Sequence, residues 1–140
     1  MANFNSVQMT PPVYPVSGPM NAGRGEQAAT GNYTYSATMA VGDTITMLRL
    51  HRNFRVTGGY FKTSGLGAGV TAIVGDAADD DRYFTSASVA TAGTNSTMAD
   101  TGRGFINLAG TNVIIKLAGA TTNAAGTIEL VLFGIIEQPL

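Results

Sequence analysis

The side chains able to do chemistry fall in two short runs. Arg49, His51, Arg52 and Arg55 lie close together, and so do Asp76, Asp79, Asp80 and Asp81. His51 is the only histidine and there is no cysteine. That excludes His-pair metal sites, thiolate zinc sites, cysteine nucleophiles and disulfides. One histidine can serve as a general base only with an acid to orient it and a nucleophile beside it. Asp43 is a conceivable acid, but nothing in the spacing demands it. No catalytic residue is assigned, no enzyme activity is expected and no cofactor is implied.

The basic run has a sharper use. Arginine offers planar, bidentate donors for carboxylates and is enriched at protein interfaces. Arg49, His51, Arg52 and Arg55 could dock on an acidic surface of another subunit. They could equally form a solvated sheet face with internal ion pairs to the aspartates. The acidic run could hold Ca²⁺, which takes six to eight oxygens, but its spacing does not match a helix–loop–helix calcium loop. A solvated turn is the stronger reading, so no metal site is assigned. Pairing with the basic run across a subunit contact is a third option. Gly65-Leu-Gly-Ala-Gly-Val precedes a β-like run, not a helix N-terminus, so it is a turn and not a phosphate loop. Glu129 and Glu137 do not make a defensible glycosidic pair.

Composition points the same way. The chain has 140 residues, net charge -1, 8 basic and 9 acidic residues, and 12% charged residues, about half the usual ~25%. Ala, Thr, Gly, Ser and Asn stand where Lys and Glu are usual. Such a surface suits a subunit that others cover, which suggests an assembly component. There is no basic footprint for nucleic acid and no polybasic patch for membrane. No signal peptide is recognisable, and the run Leu130 to Ile136 is too short to span a bilayer. Asn32 and Asn95 match the glycosylation triplet by chance in a Thr-rich chain.

The elements that must position these groups are strands. Val41 to Lys62 is dense in β-formers. With period two, Leu48, Leu50, Phe54 and Val56 share one face, interrupted by Arg52. Arg49, His51, Asn53 and Arg55 share the other if the strand is unbroken. The remaining strands are expected at Tyr33–Ala40, Val70–Val74, Asp81–Ala87, Gly104–Leu108, Asn112–Leu117 and Thr127–Glu137. The Val41–Lys62 stretch divides into Thr44–Leu50 and Asn53–Lys62. Gly58-Gly59 suggests a bulge or bend. Ser88–Asp100 reads as a long loop. The last strand is apolar on both faces, which places it centrally in a covered sheet or at a subunit interface. The fold class is therefore all-β, an antiparallel sandwich of about eight strands, most economically a jelly roll. Residues 1–31 differ: Pro11, Pro12, Pro15 and Pro19 lie among Phe4, Val7, Met9, Val13, Tyr14, Val16 and Met20. They read as an extended, partner-embracing arm, with residues 32–140 as the sandwich domain.

Gly42-Asp43-Thr44-Ile45, Thr57-Gly58-Gly59-Tyr60, Arg82-Tyr83-Phe84 and the closing Gly126-Thr-Ile-Glu-Leu-Val-Leu-Phe-Gly-Ile-Ile resemble the small head proteins of tailed bacteriophages. The likeness is to the capsid cement (decoration) proteins, the jelly-roll cement protein of a Bordetella phage in particular. It implies a subunit on the outer surface of an icosahedral virion, made in the host cytoplasm, that joins major capsid proteins and pairs with itself, as a homodimer rather than a trimer. On that expectation Pro11, Tyr14, Arg49, His51, Arg52 and Arg55 are candidates for capsid contact. Tyr33, Tyr35, Val131, Phe133 and Ile135 are candidates for self-association. The rival reading is a jelly-roll carbohydrate-binding module on a tail or fibre, using Tyr33, Tyr35, Tyr60 and Tyr83.

Overall fold

The computed structural model describes residues 2–6 and 26–137. Among these there is no helix. Ten strands appear: β1 (Asn3–Asn5), β2 (Gln27–Tyr35), β3 (Thr44–Leu50), β4 (Phe54–Ser64), β5 (Thr71–Gly75), β6 (Phe84–Ser88), β7 (Ala92–Asn95), β8 (Ile106–Asn107), β9 (Thr111–Ala118) and β10 (Gly126–Ile136). They form two sheets. One has the order β1-β3-β9-β5-β6. The other runs β2-β10-β4-β7, with β8 also paired to β4. Every ladder is antiparallel except β1 on β3, which is parallel.

Eight of these strands match the expected count; β1 and β7 are additional. Both are short and mostly polar, so neither carries a period-two signal. The Tyr33–Ala40 strand is displaced: β2 starts at Gln27, before the expected end of the arm, and stops at Tyr35. Its upstream core positions are small, Ala29 and Gly31, which hides the alternation. The Asp81–Ala87 strand starts only at Phe84, because the residues before it belong to a turn.

The core lies between the sheets. Ile45, Leu50, Phe54, Val56, Phe61, Val74, Phe84, Val113, Ile115, Leu117, Leu130 and Leu132 are all essentially inaccessible. Phe61 of one sheet meets Phe84 of the other edge-on, with centroids 5.1 Å apart and planes at 81°, a favoured aromatic geometry. Each such side chain contributes roughly 1.5–3 kcal/mol on burial. β10 is the central strand of its sheet, between β2 and β4, as its two apolar faces require.

Two bulges decide which side chains point inward. On β4, Phe133 pairs with Gly58 but Gly134 pairs with Val56, so Thr57 is an extra residue. Before it the even positions Phe54 and Val56 are buried; after it the odd positions Phe61 and Thr63 are. On β3, Thr46 pairs with Ile114 and Leu48 with Val113, which makes Met47 extra. The backbone of Met47 comes so close to Gly31 of the other sheet that a Cβ there would sit 2.2 Å from the Met47 carbonyl oxygen. Only glycine fits, and that contact pins the β2 edge to the β3 edge.

Candidate interaction surfaces

The basic run does not form one row. β3 ends at Leu50 in one sheet and β4 begins at Phe54 in the other. Between them the chain turns through Asn53, whose φ of 64° is in the left-handed region that Asn tolerates better than most residues. Phe54 N donates to the His51 carbonyl oxygen at 3.1 Å, and Asn53 N to that of Asn107 at 2.5 Å. The condition for a single row of donors, an unbroken strand, is therefore not met: the chain divides between Leu50 and Phe54, as the expected strands Thr44–Leu50 and Asn53–Lys62 do, and changes sheet there. Arg49 is exposed at the end of β3 and donates from Nη1 to Asn112 Oδ1 at 3.3 Å. His51 is partly buried, with Nδ1 2.5 Å from the Arg52 carbonyl oxygen. Arg52 is exposed at the corner. Arg55 lies on the outer face of the other sheet, bound to Glu137. Asp43, the conceivable acid for His51, is at the far end of β3, roughly 25 Å away along the strand. Its carboxylate accepts from Ala2 N at 3.0 Å and Ala40 N at 2.9 Å.

Beside this corner is a residue expected inside a strand. Leu108, in the turn after β8, is 70% exposed. It borders an apolar cleft of about 350 Å³ with Ala77, Phe105, Ile106 and Thr111. Gly110 of the same turn lies close to the Leu50 carbonyl oxygen and to Arg49 Nη2. Arg49, Arg52 and Leu108 therefore present charge and apolar surface on one corner of the sandwich.

The acidic run divides too. Asp76 is 6% exposed and accepts from Arg82 Nε at 2.7 Å and from the backbone of Ala78 and Asp79 at 3.0 Å each. Arg82 in turn stands 3.8 Å over the Phe105 ring. Its guanidinium is held further toward the charged form, chiefly by the hydrogen bond to Asp76. This part of the run is a structural clamp. Asp79, Asp80 and Asp81 bring carboxylate oxygens within 4.8 Å of one another. Asp80 also lies 3.4 Å from Lys116 Nζ. The Asp81 carboxyl is pushed up, first by its hydrogen bond to Asp79.

The aromatic residues do not assemble a sugar platform. Tyr83 is fully buried and Tyr35 is 5% exposed. Tyr33 is partly buried over the core, 6.4 Å from Tyr35 and 6.1 Å from Phe4. Tyr33 and Tyr35 thus line the inner side of β2. Tyr60 stands on the outer face of its sheet, 6.2 Å from Phe133, and donates to Glu129 at 3.3 Å. A hollow of about 620 Å³, bounded by Tyr33, Lys62, Ser64, Gly93 and Thr127, opens near one end of this face. Tyr33 is the one aromatic residue lining it.

Val131, Phe133 and Ile135 do share a face. They project from the outer side of β10, opposite the core positions Leu130, Leu132 and Ile136. Pro11 and Tyr14 lie outside the described residues.

No protein-family description matches the chain, and no curated protein sequence matches it. Chains of three solved structures do. A chain of the cyanophage Pam1 capsid asymmetric unit is 26% identical with a TM-score of 0.67, over 80% of this chain and 85% of that one. A chain of the capsid of Ralstonia phage GP4 is 20% identical with a TM-score of 0.82, over 99% of this chain and 100% of that one. A chain of the acid-stable capsid of Helicobacter pylori bacteriophage KHP30 is 12% identical with a TM-score of 0.51, over 81% and 95%. The last two likenesses are of fold alone.

Proposed function

We propose that this chain is a structural protein of a bacteriophage capsid, and within that role a cement protein on the outside of the head. The observation that carries the proposal is the Pam1 likeness, which combines 26% identity with 80% coverage of this chain. The capsid of phage GP4 supplies the same fold over the full length. The strand order supports reading that fold as a jelly roll. β2-β10-β4-β7 faces β3-β9-β5-β6, so two four-stranded sheets are wound from strands that repeatedly change sheet. β1 and β8 are additions at the edges.

A protein that binds only the assembled shell adds its binding free energy to that shell at every site. Moderate contacts then sum over many copies. The corner of Arg49, Arg52 and Leu108 suits such a contact, since arginine is enriched at interfaces and the exposed Leu108 adds apolar surface beside it. The segment before β2 supplies further docking side chains from its sequence. The carbohydrate-binding alternative is weakened by the burial of Tyr35 and Tyr83.

Co-sedimentation with empty phage heads, compact and expanded, tests the proposal. Saturable binding to the expanded form and a higher rupture temperature are expected. Absence of binding to either form would refute the cement role.

A further inference from the structure

One edge of β4 is open in the middle. β10 lines the other side of the strand from Phe54 to Thr63. On the open side, β8 pairs with Phe54 and Arg55. Val56 N then donates to the Phe105 carbonyl oxygen at 2.9 Å, and Gly104 N to that of Val56 at 2.7 Å. β7 takes up the ladder only at Phe61 and carries it to Ser64. Between these two ladders stand Thr57, Gly58, Gly59 and Tyr60. Among the described residues no backbone bond reaches them on that side.

The chain that joins β7 to β8 does not close the gap. Its bonds run to the other sheet and to itself. Ala99 N donates to the Tyr83 carbonyl oxygen at 2.8 Å, Thr101 Oγ1 to that of Arg82 at 2.8 Å, and Gly102 N to that of Ala99 at 3.0 Å. The bulge at Thr57 ends the β8 ladder, yet Gly58, Gly59 and Tyr60 stay in regular register with Phe133, Leu132 and Val131. They are strand-formed edge, and all are partly exposed. Proteins guard such edges with charged residues, proline or a covering element. Residues 57–60 hold no charge and no proline, and a Cβ at Gly58 would meet nothing within 4 Å. The length suffices for a ladder, since β1 and β8 pair over three and two residues.

Two cations flank the gap. Lys62 follows Tyr60 by two residues on β4, and Arg103 precedes Gly104 at the other end. Both are exposed, and neither belongs to an ion pair of the described residues. Glu129, across from Lys62, instead accepts from the Tyr60 hydroxyl. We propose that this gap receives an extended, acidic segment of another capsid chain, which adds to β4 as a short strand with carboxylates on Lys62 and Arg103. Main-chain bonds supply the affinity in such strand addition, and the two cations select the partner. Residues 7–25 of a second copy do not suit the site. They carry four prolines, which cannot donate to a ladder, and no acidic residue. The inference rests on the capsid reading and names the kind of partner.

Hydrogen exchange of the full chain, free and bound to expanded empty heads, tests it. In the free chain the amides of residues 57–60 that face the gap should exchange fast, beside slow amides in β10. On the heads they should slow by about tenfold or more. Lys62→Glu combined with Arg103→Glu should weaken binding to the heads by about tenfold or more at low salt, and less at high salt. Circular dichroism confirms that this variant is folded. Saturable wild-type binding without protection of residues 57–60 would overturn this inference and leave the cement role standing. So would a folded double variant that binds as the wild type does. Slow exchange throughout 57–60 in the free chain would overturn it too, since the edge would already be paired. Absence of wild-type binding would refute the cement role and this inference together.

Discussion

Arg55 of β4 grips Glu137, the residue after β10, through two parallel contacts: Nη2 to Oε2 at 3.0 Å, and Nε to Oε1. The same guanidinium donates from Nη1 to the Gly104 carbonyl oxygen at 2.9 Å. One side chain thus ties the start of β4 to the end of β10 and to the loop before β8. Bidentate geometry of this kind is the stronger form of a surface ion pair. It also explains why Arg55 is separated in role from Arg49 and Arg52.

This pair sets an acid dependence. The hydrogen bond from Arg55 holds the Glu137 carboxyl below its ordinary range. A carboxyl lowered in the folded state stabilises the fold above its unfolded value, and the contribution is lost as pH falls through the folded value. A double-mutant cycle of Arg55→Ala and Glu137→Gln by thermal melting should show favourable coupling at neutral pH. The coupling should fade at acid pH and shrink in high salt.

Tyr83 sets an alkaline dependence. Burial pushes its hydroxyl up from 10 to about 12. Folding keeps it neutral, so stability is complete below 10 and falls as pH rises toward 12, by on the order of 3 kcal/mol. Phenolate absorbance followed with circular dichroism should show one tyrosine ionising late, together with unfolding. Tyr83→Phe should remove that step, at a cost of about 1 kcal/mol at neutral pH for the Asn107 side chain left behind.

Arg82→Ala should destabilise by on the order of 2–3 kcal/mol in a urea titration. It strips the nearly buried Asp76 carboxylate of its cation and removes the guanidinium above Phe105. Asp76→Asn should recover part of the loss when combined with it, because the backbone donors of Ala78 and Asp79 still find an acceptor.

Tyr35→Phe should leave stability unchanged or raise it by up to about 1 kcal/mol. The hydroxyl is buried without a hydrogen-bond partner among the described residues, whereas the ring packs over Gly126. Deleting an unmatched buried polar group costs nothing and relieves a desolvation penalty. A loss of more than about 1 kcal/mol in the same titration would mean the hydroxyl has a partner.

Gly31→Ala should cost on the order of 1–3 kcal/mol or more, since its methyl group must displace the Met47 backbone. Gly58→Ala, at a glycine with open space around it, is the control and should be far milder by thermal melting.

On the cement proposal, docking on the capsid should respond to the corner side chains. Arg49→Ala with Arg52→Ala should reduce occupancy of expanded heads in a salt-sensitive way, and Leu108→Ser should reduce it at all salt concentrations. Wild-type occupancy in both variants would place the contact elsewhere.

The order of residues alone sets the all-β class and most of the strands; with it come two further features, the poverty of charge and the single histidine. Thr44–Leu50 is recovered with both ends, and β10 within one residue at each end, because alternating or continuous apolar β-formers between turn residues have few other uses. Strands β1 and β7 were not legible, since short polar stretches become strands only when an edge is there to receive them. The basic run is not one row for the same kind of reason. Leu48, Leu50, Phe54 and Val56 all face the core, as period two expects, but the turn at Asn53 carries the chain from one sheet to the other, so Arg49 and Arg55 stand on different sheets. Facing is set by pairing with distant partners, Val113 for Leu48 and Val131 for Tyr60. Local sequence does not encode those partners, so which groups share a surface is settled by long-range pairing.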